Sequence, residues 1–273
     1  MLAALIYGVP TWEMAAVSLA LIVSLSLIGL FITTRLFHID VRRKHNEFIG
    51  FNSALVGVFF AVLLAFIAVS AWESFSKAGD IAANEASLAG DLARDAETFP
   101  EPLRTKLLVD MRDYVDIVLK KEWPAMANGD NFGLEGWEPL DKFHADLAGF
   151  RIQDPIVVAI FSETLTRLNS LYDARRARIL AANQHIDATV WWVVLLGSAV
   201  TIAFTFLFGM DNMLMHVCIT SAVAASLGLV IVLIAAFDYP FRGEVQITPG
   251  AFEAVHQTMQ RQEGFFLKPG TPD

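Results

Sequence analysis

Residues 48–71 read FIGFNSALVGVFFAVLLAFIAVSA, and residues 72–96 continue as WESFSKAGDIAANEASLAGDLARDA with no proline and no turn cluster between them. The first stretch carries no charge and exceeds the roughly 20 helical residues needed to cross about 30 Å of bilayer hydrocarbon. Small or aromatic residues recur at Ala54, Gly57, Ala61, Ala65, Ala68, Trp72, Phe75, Gly79, Ala82, Ala86, Ala89, Ala93 and Ala96. Steps of three and four held over that distance keep one helix face turned to a partner. The pattern predicts a single helix over about residues 49–97, a membrane span that continues as a stalk.

Three further charge-free runs flank this one: Met14–Thr34, Ala188–Met210 and Asn212–Phe237. Each can span once and none can span twice, so the chain is predicted to be an all-α membrane protein with four transmembrane helices. The hydrophobic content of 55% and mean hydropathy of +0.50 agree, lying above the range of soluble domains. Residues 1–13 carry no Lys or Arg, so Met14–Thr34 reads as a retained helix rather than a cleaved signal. The expected organisation is a first transmembrane hairpin over 1–72, an inserted helical bundle over 73–187, a second hairpin over 188–237 and an irregular tail over 238–273. Residues 73–187 hold 20 Asp and Glu against 13 Lys and Arg, so the net charge of −9 belongs mostly to the insert.

Arg35, Arg42, Arg43 and Lys44 crowd the short loop between the first two runs. The positive-inside rule puts that loop in the cytoplasm of a bacterial inner membrane, with the insert and both termini outside. Lys77, Arg175, Arg176 and Arg178 oppose this reading if they lie near the bilayer. Trp12, Trp72, Trp191, Trp192 and Tyr239 fall on the insert side, as an aromatic belt would.

Within the insert, Phe99-Pro100-Glu101-Pro102 ends the first long helix, and a second is expected from about Glu101 to Ala127. The turn cluster 128–133 precedes a short amphipathic helix over about 134–148. After Asp154-Pro155, a cap and first-turn pair, Phe161, Leu165, Leu168, Tyr172, Ile179 and Ile186 mark a helix expected to run unbroken into the third span. Asn46 reads as the N-cap of the second span, Pro240 closes the fourth, and a short helix is expected at 250–262.

Catalytic chemistry has no foothold in this pattern. The six histidines lack the i, i+4 spacing of a helical metal site, and no phosphate loop, nucleophile elbow or zinc signature is present. Asp110, Asp113 and Asp116 share a helix and read as a solvated acidic face rather than a cation site. No cofactor, no metal and no nucleic-acid partner is expected. No ionisable residue lies well inside a span, which disfavours an ion-coupled transporter. A channel closed by a hydrophobic constriction needs none. Asn52, Val56, Phe59, Leu63, Phe66, Ser70 and Glu73 share one face of the second span, polar at both ends with aromatic residues between. Around an oligomer axis, Asn52 would form a mouth, Phe59 and Phe66 two rings, and Glu73 an acidic exit. The same phenylalanines could equally face lipid or a neighbouring helix.

Several short patterns resemble one family. They are His45-Asn46-Glu47, Trp72-Glu73, Glu122-Trp123-Pro124, Arg167-Leu168-Asn169, Asp173 with Arg175, Arg176 and Arg178, and Asp238, Pro240, Phe241 and Gly243. Their order over about residues 1–255 is similar to that of the four-pass bacterial membrane proteins described as bestrophin-like, catalogued as a domain of unknown function. The resemblance implies a non-enzymatic homo-oligomer in a lipid bilayer that passes small inorganic anions through a neck on its second helix. It also implies a cytoplasmic insert, against the charge rule. No acidic calcium clasp can be mapped onto this sequence. The alternative is a sensor or scaffold whose helical insert binds a ligand or partner protein.

Overall fold

A computed structural model describes residues 10–150 and 155–266, which form helices joined by turns and loops, with no strand among them. The chain divides into two compact units. The membrane unit comprises residues 1–75, 185–239 and 243–245, and the inserted unit comprises 76–184, 240–242 and 246–273.

Among the described residues four helices are long and apolar enough to cross a membrane. In the membrane unit, α1 (Thr11–Leu36) is followed by the short basic helix α2 (Ile39–Lys44). The long helix α3 (Asn46–Ala96) begins there and is continuous over 51 residues, matching the periodicity of its sequence. The unit is completed by α8 (Ala188–Phe206) and α9 (Met213–Asp238). Small residues let these helices approach closely, as they do where apolar surface gives no driving force in lipid. Gly197 of α8 lies under the Phe60 ring, and a Cβ there would overlap it. Phe60, Leu64 and Ala71 of α3 are buried with Val194 and Ile234.

In the inserted unit, α4 (Leu103–Ile117) passes through a π-helical turn (Val118–Glu122) into α5 (Trp123–Asn128). Gly129 ends α5 with φ 77°, a left-handed conformation that needs glycine. After it come α6 (Trp137–Ala148) and α7 (Pro155–Asn183). Ala82, Ala86, Ala89, Ala93 and Ala96 of α3 form the small-residue floor on which Leu107, Met111, Leu140, Phe143, Leu168 and Leu171 pack.

Several sequence expectations are corrected. α7 does not run into the third span: it stops at Asn183, and Asp187 starts α8 afresh by accepting a bond from the Thr189 N–H at 2.7 Å. The helix expected at 250–262 in an otherwise irregular tail is longer, α10 (Gly250–Phe266), and its Phe252 and Met259 are buried in the inserted unit. The cap expected at Asp154 lies outside the described residues. Asp110 is not on a solvated face, being buried on the inner side of α4.

Candidate pore-lining face and the buried charge network

The membrane half of α3 presents three stripes. Phe59 and Phe66 are seven residues apart, nearly two full turns, and so share a face. The buried ridge of Phe60, Leu64 and Ala71 is turned about 130° from it, and the small-residue stripe of Ala54, Ala61, Ala65 and Ala68 about 220°. Among the described residues the ridge packs within this chain, with Ile67 and Ala68 partly buried against it. Phe59 and Phe66 are each 71% exposed, and Ala54, Ala61 and Ala65 are exposed too. The small residues in this half of α3 are therefore not its packing face within the membrane unit; larger Phe60 takes that role because Gly197 makes room for it. Asn52 is half-buried and donates to the Phe48 carbonyl at 2.8 Å, while Ser70 and Glu73 are exposed. On α8, Thr201 and Thr205 bond back to the Gly197 and Ile202 carbonyls, which leaves Ser198 buried without such a bond.

At the start of α3, the Asn46 side chain makes no helix cap. Its amide donates to the Gly209 carbonyl at 3.0 Å and accepts from the Gly209 N–H at 2.8 Å, clasping the α8–α9 connection. Arg42 donates to the Phe206 and Phe208 carbonyls, orphaned at the end of α8, and Arg43 pairs with Asp211 at 2.5 Å. Gly209 is required there, since a Cβ would sit 2.8 Å from the Arg43 Cα. His45 bonds to the Val41 carbonyl, and Glu47 is exposed. Toward the other end of the unit, Asp238 accepts from the Ile186 N–H at 2.5 Å and from the Trp191 indole at 3.2 Å. Trp72 packs edge-on against Phe237 with ring centroids 5.2 Å apart.

The inserted unit hides a different arrangement. Arg178 donates to Glu85 at 2.5 and 3.1 Å and to Glu122 at 2.7 Å, while Arg175 grips Glu122 at 2.5 and 3.1 Å. The Tyr114 hydroxyl donates to Glu85. All five side chains are at most 2% exposed. Two guanidinium groups balance two carboxylates, and aromatic faces cover them: Arg175 lies 4.8 Å from the Trp137 ring centroid and Arg178 6.0 Å from that of Trp123. The π-helical turn supplies Glu122. Burial would push the Glu122 carboxyl up, but the hydrogen bonds from Arg175 and the charge of Arg178 outweigh it and hold the group below the usual carboxylate range. Burial and the neighbouring Glu85 charge push the Tyr114 hydroxyl well above its ordinary value, keeping it a neutral donor.

Arg175 and Arg178 are thus enclosed in a folded core rather than displayed as a basic patch; Arg176 alone of the three is exposed, paired with Asp173 at 2.6 Å. Buried Trp123 donates to the Ile247 carbonyl at 3.3 Å and stacks edge-on with Phe241, while Pro124 is exposed and the Pro240 carbonyl accepts from the Ile247 N–H. Glu85 and Tyr114 went unrecognised in the sequence. Their signal was present: Glu85 falls on the buried side of the alanine stripe, beside Ala82, Ala86 and Ala89, where an unpaired charge has no place. Among the described residues no group of three or more His, Cys, Asp and Glu could hold a metal ion.

These features define an all-helical membrane protein with four crossings. Residues 20–252 match the model of the Bestrophin-like domain, and the chain belongs to that family of membrane proteins, which are not enzymes. The fold is shared with solved structures. A bacterial bestrophin homolog from Klebsiella pneumoniae superposes with a TM-score of 0.66 at 12% identity, covering 91% of this chain and 98% of that one. A point variant of the same homolog gives 0.65 at 12%, covering 92% and 99%. A structure described as a membrane protein gives 0.67 at 11%, covering 91% and 98%. No curated protein matches the sequence.

Proposed function

We propose that the protein is a homo-oligomeric channel for small inorganic anions, lined by α3 with Asn52 at the mouth, Phe59 and Phe66 at the neck and Glu73 at the exit. One observation carries this reading: within a single chain, α3 leaves Phe59, Leu63, Phe66, Ser70 and Glu73 of this face exposed while a separate ridge holds it to its own bundle. A helix that lines a shared axis needs such a division, with one stripe for its own subunit, one for a neighbour and one for the pore. The small-residue stripe suits close approach by a second copy. The phenylalanine rings suit a constriction that gates by excluding water, which needs no ionisable group within the span. Bestrophin homology supports the same reading. In this reading residues 1–72 form the first transmembrane hairpin, 188–237 the second, 73–187 the inserted domain and 238–273 the tail.

Purified protein in liposomes carrying a chloride gradient tests the proposal. Flux from an oligomer of defined size supports it, whereas a silent protein that co-purifies with a partner supports the sensor or scaffold reading. In a bacterial inner membrane the charge rule further places residue 40 in the cytoplasm and residue 273 outside. Reporter fusions at the two positions should give opposite signals. The reverse pair of signals would put the inserted unit inside, and equal signals would remove the four-span topology.

A further inference from the structure

Each carboxylate of the charge network in the inserted unit meets a guanidinium, but the Asp110 carboxyl does not. It lies on the inner side of α4, a turn from Leu107 and Tyr114, is 9% exposed, and its Oδ2 has no hydrogen-bond partner among the described residues. An ionised carboxylate buried without donors is strongly disfavoured. The charged groups around it offer little relief. On α4 these are Lys106 and Asp113; on α6, packed against α4, they are Lys142 and Asp146. Lys106 is engaged with Asp146 at 3.1 Å and Lys142 with Glu138 at 2.8 Å. Each ammonium therefore already has a carboxylate, and Asp110 meets Asp146 across the joint as a like charge. α10, which also packs on α4, brings His256 to Asp116, six residues further along, at 3.1 Å. Beside the joint a cavity of about 280 Å³ is lined by Leu103, Lys106, Asp146 and Phe150 among others.

We propose that the α4–α6 contact is a proton-sensitive joint centred on Asp110, close-packed while this carboxyl is protonated and loosened when it ionises. The closed form buries a neutral acid. The ionised form draws water toward Oδ2, and the adjacent cavity gives that water a route. Burial, reinforced by the Asp146 charge, raises the carboxyl to about 6, so the transition falls within reach of ordinary cellular pH. The sign follows from the raised value. The unfolded chain would ionise near 4, so the stabilisation is complete below that pH and is lost as pH rises through about 6.

Hydrogen exchange of the full-length protein in detergent micelles, followed from pH 4 to 8 and corrected for intrinsic rates, tests the proposal. Amides of residues 140–148 should lose protection between about pH 4 and 6, by as much as about tenfold per pH unit, and level off above about pH 6. Asp110→Asn should remove this pH dependence and leave protection at its acid-side level. Asp146→Asn retains the acid at position 110 but removes the like charge, so its midpoint should move to lower pH; this variant carries the test if Asp110→Asn does not fold. A flat profile in the parent protein overturns the proposal. So does a pH dependence that survives Asp110→Asn, or an Asp146→Asn midpoint that stays where it was.

Discussion

Along the single helix α3, Phe59 and Phe66 are 71% exposed, whereas Ala82, Ala86, Ala89 and Ala93 are at most 3% exposed. Size and burial are inverted between the two halves. In the inserted unit, alanine lets α3 serve as the floor of a core that also encloses two arginines and two glutamates. In the membrane unit, large apolar side chains turn outward because lipid or another copy of the chain, not water, is their surroundings. The periodicity is the same in both halves, but what it means depends on the solvent.

The largest effects should come from the charged core. Arg178→Met leaves Glu85 buried without its guanidinium partner, so thermal unfolding should report a loss of about 3–5 kcal/mol. Combining it with Glu85→Gln, which removes the stranded charge, should recover a substantial part of that loss. Equal losses in the single and double variants would show that packing, rather than charge balance, holds this core.

Substitutions on the membrane side of α3 sharpen the comparison. Phe60→Ala empties the contact over Gly197 and should cost about 3–5 kcal/mol in detergent. Phe59→Ala, one residue away but exposed in the single chain, should change stability by no more than about 0.5 kcal/mol where the protein is held monomeric. Similar losses at both positions would erase the division into a packing ridge and an unpartnered face.

The pH response of Glu122 should be smaller, and its direction is fixed. Its folded value lies below the ordinary carboxylate range, so its contribution is present above about pH 4.3 and is lost as pH falls through the folded value. Each unit of lowering corresponds to about 1.4 kcal/mol. Fluorescence of Trp123, which follows Glu122 in the chain, can track the acid transition. Glu122→Gln should flatten that part of the curve; an unchanged curve would show that other carboxylates govern it. The smallest effect is expected at Asp187, where Ala should speed amide exchange only in the first turn of α8 and Asn should restore it.

Much of the fold was legible in the sequence because hydrophobic length and three-four periodicity survive in any context. The four spans, the length of α3 and the break at Pro100 and Pro102 were all read from single-residue properties. The break between α7 and α8 was not, since Asn183 to Asp187 contains neither Pro nor Gly and its signal is one capping carboxylate. The π-helical turn left no mark in composition, although it supplies Glu122 to two arginines distant in sequence. Asn46 illustrates the same limit. Its position before an apolar run reads as a cap, yet its partner is Gly209, 163 residues away, which local pattern does not reach.

The central claim is that α3 lines a pore whose neck is set by Phe59 and Phe66, and flux through liposomes containing the Phe59→Ala and Phe66→Ala variants tests it most directly. Shrinking a ring of large aromatic side chains should widen and wet the constriction, so each variant should pass anions faster than the parent at equal oligomer content. Phe60→Ala, on the packing ridge, should lower stability without raising flux. If the Phe59 and Phe66 variants remain folded and oligomeric yet pass no more anions than the parent protein, the pore does not run along this face of α3.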